Sequence, residues 1–225
     1  MPELLVVEHD RDAPAGLLTG WARTRGLPLR TIRLHAGQQL PAALPPSDCA
    51  AVVLLGSEQT AYDDRVPWLA AELSFVSRLV SADVPVLGIC FGGQVLARVL
   101  GARLFRLTAP EIGWVRAASR CAGLAPGPWP SWHRDAFELP PGAVLLAANE
   151  VGVQAFGFGP HVGVQFHPEA TLPIVASWLA GSDPPPPAEL TAPLLAGDTR
   201  PLWRQAASNA GQFFSAWLDG GLTPG

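Results

Sequence analysis

At 225 residues, 48% of them hydrophobic, the chain has room for one large α/β domain with an appendage and enough apolar side chains for a sizeable core. A formal net charge of −4 argues against nucleic acid or an anionic membrane surface as partner, since both reward a clustered basic face. All fifteen basic residues are arginine, which excludes Schiff-base chemistry and a Walker-type phosphate lysine.

Three widely spaced cysteines, Cys49, Cys90 and Cys121, fit neither a disulfide framework nor a cysteine-rich zinc site. Residues 1–10 carry acids and no basic lead-in, unlike a secretory signal, and no apolar run is long enough to cross a bilayer. The expectation is a soluble, reduced, cytoplasmic protein without membrane attachment.

In chain order, residues 4–7 predict a buried strand, 13–25 a helix and 29–34 a second strand. Residues 36–48 are rich in Gly, Gln and Pro and read as a loop. The apolar run 50–55 ends at Gly56, as a parallel-sheet strand does. A helix over 68–81, a strand over 85–89 and a helix over 93–100 closed by Gly101 follow. This alternation implies a doubly wound α/β fold. Beyond it, short strand-like pieces at 103–107, 113–118, 144–148, 153–158 and 162–166 predict a more antiparallel section on the same sheet. Residues 171–179 predict a helix. A domain over 1–182 is then followed, over 183–225, by a Pro-rich linker and a helix at 201–218 whose aromatic stripe packs on the domain or on a partner.

The strongest chemical signal is Gly88-Ile89-Cys90-Phe91-Gly92-Gly93-Gln94, between an apolar strand and a helix. That is the setting of a nucleophile elbow, and glycines two residues either side of Cys90 supply the small neighbours so sharp a turn needs. A free thiol has a pKa of about 8.5, and a helix N-terminus favours its thiolate. Taken alone, Cys90 could equally be a small buried hydrophobe. Gln165-Phe166-His167-Pro168-Glu169 offers an imidazole to take a thiol proton and a carboxylate to orient that imidazole.

Gly-x-Cys-x-Gly-x-Gln followed by His-Pro-Glu resembles the class I glutamine amidotransferases, especially the glutaminase portion of GMP synthase and its stand-alone relatives. The resemblance spans residues 4–180. Leu54-Leu55-Gly56-Ser57-Glu58-Gln59-Thr60-Ala61-Tyr62-Asp63-Asp64 lies where the family has its Gly-Gly-Pro loop and Tyr-Asp pair, and Trp132-His133-Arg134-Asp135 resembles its Ser-His-Gly-Asp segment. The resemblance implies a flavodoxin-like, mostly parallel sheet flanked by helices. It also implies a catalytic set of Cys90, His167 and Glu169, with Cys90 attacking the side-chain amide of glutamine. Oxyanion donors would come from Phe91 and the Gly56-Ser57 loop, a substrate contact from Gln94, and a backbone-positioning role from His133. No cofactor and no metal are implied. The partners implied are glutamine or another γ-glutamyl compound and a separate ammonia-accepting synthetase.

Ser57, Glu58 and Arg134 depart from the family pattern. A residue with a Cβ at 57 would pay more for a positive φ. Arg134 could read a substrate carboxylate or be surface charge. These changes leave open a stand-alone γ-glutamyl hydrolase and, less well supported, a non-catalytic regulatory protein. Cys49 and Cys121 read as structural, His9, His35 and His161 as loop residues, and 111–114 as a turn into a strand.

Overall fold

The computed structural model describes residues 2–44 and 49–222. Its first half is β1 (Glu3–Glu8), α1 (Leu17–Thr24), β2 (Leu29–Arg33), a 3-10 turn (Leu34–Ala36), β3 (Cys49–Leu54), α2 (Leu69–Ser81), β4 (Val86–Ile89) and α3 (Phe91–Val99). Of the expected 36–48 loop, residues 45–48 lie outside the described residues.

The apolar runs form strands covered on both sides. Leu4 and Val6 of β1 and Ala51 and Val53 of β3 enter one core, packed against Leu18 and Ala22 of α1. Their alternates Leu5, Val7, Val52 and Leu54 enter a second core with Phe75, Val76 and Leu79 of α2 and Val95 and Leu96 of α3. Side chains of a strand alternate between faces, so a sheet buried on both faces needs an unbroken apolar run. Helix α1 begins at Leu17 rather than 13. Gly16, at φ 49°, turns the chain there, and the Leu17 amide donates to the Glu169 carbonyl at 2.8 Å.

The second half adds β5 (Leu104–Val115), β6 (Ala118–Ser119), β7 (Trp129–Phe137), β8 (Val144–Ala148), β9 (Val153–Phe158) and β10 (His161–Val164). The main sheet runs β2-β1-β3-β4-β10-β9-β8-β6. It is parallel from β2 to β10 and antiparallel beyond.

The expected single antiparallel extension holds for β8 and β9 but not for the pieces at 103–107 and 113–118. Those two pieces are mostly one strand, β5, which pairs with β7 in a separate two-stranded ribbon. A register shift between Arg106 and Glu111 interrupts the pairing there, which is why the sequence reads as two short strands.

The chain ends with α4 (Leu172–Gly181), α5 (Ala188–Leu195) and α6 (Arg200–Leu218). Thr171 caps α4 by accepting from the Ile174 amide. Helix α5 was not expected in the Pro-rich stretch. Its Leu194 is buried with Val175 and Trp178, and the Trp114 indole donates to the Pro193 carbonyl at 2.8 Å. The aromatic stripe of α6 faces inward. Phe213, Phe214 and Trp217 join the first core, where Trp129 stacks on Phe166 at a centroid distance of 4.6 Å.

Candidate active site

Cys90 is the single residue between β4 and α3. Its φ of 51° and ψ of −107° place a residue with a Cβ in a sparsely populated region, a strain of order 1–3 kcal/mol that packing must hold. Its amide donates to the Val164 carbonyl at 2.8 Å. The turn is possible because a Cβ on Gly88 would strike the Gly92 carbonyl and one on Gly92 the Leu54 carbonyl.

His167 and Glu169 follow β10, which lies beside β4. The sheet thus brings together residues that are far apart in sequence. His167 Nδ1 lies 2.7 Å from Glu169 Oε1, and both side chains are buried. Burial disfavours the imidazolium, but the Glu169 carboxylate and the Cys90 sulfur outweigh it and raise the His167 pKa to about 10. Cys90 and His167 open on one cavity of about 230 Å³.

Gly56 and Ser57, directly after β3, line the same cavity. Bulk at Gly56 would meet His167 Cε1 at 3.1 Å and Cys90 Cβ at 3.9 Å, so this loop runs over the reactive pair. Ser57 does not take the positive φ that its Cβ would make costly: among the described residues, Asp83 and Cys90 are the non-glycines that do. The Glu58 amide is held by Asp10 Oδ2 at 2.8 Å. The amides of Gly56, Ser57 and Phe91 donate to no protein acceptor among the described residues.

Gln94 is buried rather than on a helix surface. Its amide nitrogen donates to the Asp135 carbonyl at 3.0 Å and to Gln165 Oε1 at 3.3 Å. Gln165 in turn reaches Cys90 Sγ at 3.6 Å. His133 lines the cavity, but both its nitrogens are engaged, Nε2 with Glu111 Oε2 at 2.7 Å and Nδ1 with the Asp135 carbonyl at 3.0 Å. That leaves it no free nitrogen to act as a second base. Desolvation works against the Glu111 carboxylate, yet His133, Asn149 and Gln154 hold its pKa below the ordinary value. The Asp135 carboxylate accepts from Thr60 and Tyr62, each at 3.1 Å, and from Arg106, which ties the loop after Ser57 to the β5–β7 ribbon.

The family model for class-I glutamine amidotransferase matches residues 22–174. This chain belongs to the class I glutamine amidotransferase family. A glutamine amidotransferase-like protein of Salmonella typhimurium is 30% identical over 75% of this chain and 76% of its own length. The GMP synthase of Aeropyrum pernix is 34% identical over 75% of this chain, which spans only 33% of that enzyme. The crystal structure of a glutamine amido transferase from Methylobacillus flagellatus, 26% identical, superposes with a TM-score of 0.85 over 100% of this chain and 96% of that one. Family membership supports glutamine hydrolysis with ammonia transfer as the general chemistry.

In this family member the structure brings Cys90, His167, Glu169, Gly56, Ser57, Phe91, Gln94 and His133 to one end of the parallel strands. Burial pushes up the thiols of Cys49 and Cys121, which disfavours them as nucleophiles. Asp63 and Asp64 are paired with Arg65 and Arg98, and among the described residues no cluster of His, Cys, Asp or Glu is built to hold a metal. No described helix is long and apolar enough to cross a membrane.

Two loop assignments are corrected: His35 lies on the 3-10 turn and pairs with Glu8, and His161 is buried at the start of β10, where burial lowers its pKa. His9 does lie in the loop after β1, but buried against Glu72 of α2. Residues 111–114 lie inside β5 rather than in a turn. Sequence reasoning also missed Trp178, which walls His167, and the rim acids Asp10, Asp12 and Asp183. The position of His9 just past a parallel strand, where such folds gather ligands, was the available signal for that residue.

Proposed function

We propose that this chain hydrolyses the γ-amide of glutamine through a Cys90 thioester. The observation that carries the reading is an imidazole oriented by a buried carboxylate beside a cysteine on a strained elbow. The Cys90 proton rests on His167 Nε2, since Nδ1 faces Glu169 and the imidazole pKa is raised to about 10, and the Cys90 thiolate attacks the amide carbon. The free amides of Phe91 and the Gly56-Ser57 loop hold the tetrahedral oxyanion. His167 returns the proton to the leaving nitrogen, the C–N bond breaks, and ammonia departs. Water then attacks the thioester, giving its proton to His167. The C–S bond breaks, glutamate leaves and the Cys90 thiolate is restored. We place the ammonia acceptor on a separate synthetase chain.

The test is a chloroketone analogue of glutamine followed by peptide mass analysis. We expect the label on Cys90 with loss of glutamate release. Label on Cys49 or Cys121, with Cys90 unmodified, would overturn the mechanism.

One observation favours a second substrate reading. Asp10, Asp12, Glu58 and Asp183 line the cavity against Arg134 as its one guanidinium. That balance suits a γ-glutamyl compound whose leaving amine carries positive charge. Comparing kcat/KM for glutamine with that for γ-glutamyl amines separates the two readings.

A further inference from the structure

Gln165 lies one residue past β10, outside the Cys90, His167 and Glu169 set, and is shut away from water. Its neighbours Val164 and Phe166 enter the first core. Gln165 therefore points to the opposite face of the sheet, where Val95 and Leu96 of α3 pack. There its Nε2 stands 3.6 Å from Cys90 Sγ, in donor geometry toward a sulfur whose lone pairs reach farther than those of oxygen. The backbone amide of Gln165 donates to the Gln154 carbonyl at 2.9 Å, and the Val164 carbonyl accepts from the Cys90 amide at 2.8 Å. Two consecutive residues at the end of β10 thus hold the backbone and the sulfur of the nucleophile.

Which end of a glutamine amide faces a neighbour is decided by what that neighbour can pair with. The Asp135 carbonyl can only accept. Gln94 therefore turns its NH2 to that oxygen, at 3.0 Å, and the same nitrogen lies 3.3 Å from Gln165 Oε1. With its oxygen taken by Gln94, Gln165 presents its NH2 to Cys90. His133 Nδ1 lies 3.0 Å from the same Asp135 carbonyl, so the group that sets the direction is held by two side chains. We propose that Gln165 is a catalytic residue whose side-chain NH2 donates to Cys90 Sγ and steadies the thiolate that attacks the amide. Cys90 is buried, and an anion taken out of water needs donors around it. A hydrogen bond made to the charged form of a group favours that form. His167 lines the cavity, whereas the fully buried Gln165 does not. Gln165 therefore serves the sulfur from behind and leaves the approach of substrate free.

The inference rests on the thioester reading, and the experiment separates the two. Q165M keeps the length of the side chain and removes the donor, while Gln94 keeps its Asp135 partner. Three quantities are read: Tm, kcat/KM for glutamine across pH, and the rate of Cys90 alkylation by iodoacetamide across the same range, which reports on the sulfur without glutamine. We expect a folded protein whose alkylation midpoint lies about one pH unit above that of wild type, the scale of one hydrogen bond to a charged group. Below the wild-type midpoint, alkylation and kcat/KM should both be about tenfold lower, and the alkylation rates should converge at high pH, where both sulfurs are ionised. Q165E, which keeps the outline of Gln165 and turns an acceptor to the sulfur, should raise the midpoint further and is read in the same way should Q165M not fold. In wild-type protein the side-chain NH2 signals of Gln165, followed by NMR, should move with the alkylation midpoint. A midpoint within about 0.3 pH units of wild type in a folded variant, a rate loss of equal size at every pH, or Gln165 signals that stay still would overturn the donor role. Full hydrolysis by wild-type protein already alkylated at Cys90 would overturn the thioester reading, and the catalytic role of Gln165 with it.

Discussion

Trp178 of α4 lays its indole against the His167 imidazole, ring centroids 4.6 Å apart, and its Nε1 donates to the Asp12 carbonyl at 2.9 Å. One side chain therefore covers the imidazole and ties the region before α1 to α4. Truncation to alanine removes a nearly buried indole and opens the cavity to water. We expect W178A to lose about 3–5 kcal/mol of stability, read from urea midpoints. W178F, which keeps a ring on His167, should lose less than half of that.

On the proposed mechanism the carboxylate at 169 orients His167 rather than exchanging protons with substrate. C90S should fold with a near-native Tm and lose at least about a thousandfold in glutamate release. E169Q should also fold, yet lose roughly a hundred- to ten-thousandfold in kcat, because the imidazole is no longer held in the productive tautomer. Steady-state assays on folded protein check both. A kcat for E169Q within threefold of wild type would remove Glu169 from the mechanism.

Two glycines should respond oppositely to alanine. A Cβ at Gly92 would strike the Leu54 carbonyl and lie 2.6 Å from Leu54 Cβ, within an elbow that has no room to relax. G92A should destabilise by about 3 kcal/mol or more. Gly20 lies inside α1 with nothing within 4 Å of its would-be Cβ. G20A should stabilise by about 0.5–1 kcal/mol, since glycine costs that much in a helix interior. Thermal unfolding of the two variants beside wild type is the measurement.

His167 predicts a pH dependence of stability. Its pKa rises from 6.5 to about 10 on folding, so the native state binds the proton more tightly than the unfolded chain. The resulting stabilisation is fully present below about pH 6.5 and is lost progressively as pH rises toward 10. Urea midpoints should fall across that window in wild type. They should fall less steeply in E169Q, which lacks the larger of the two charges that raise the pKa.

The parallel half of the fold was legible because it is written locally. Unbroken apolar runs at β1, β3 and β4, punctuated by glycine, can be satisfied only by strands buried on both faces. The Cys90 elbow was legible for the same reason: Gly88 and Gly92 are demanded by contacts within one turn. The β5–β7 ribbon was not, because β5 is interrupted between Arg106 and Glu111 and its partner strand begins only at Trp129.

Sequence by itself determined the turn chemistry around Cys90 and nominated Cys90, His167 and Glu169 as a candidate set. Tertiary structure decided which polar groups are shut away from water and which distant element covers them. His9 and Glu72 lie 63 residues apart, Gln94 and Asp135 lie 41 apart, and nothing near either residue in sequence announces its partner. The physical reason is that turn and strand patterns depend on neighbours along the chain, whereas the burial of a polar group depends on what the completed sheet lays over it.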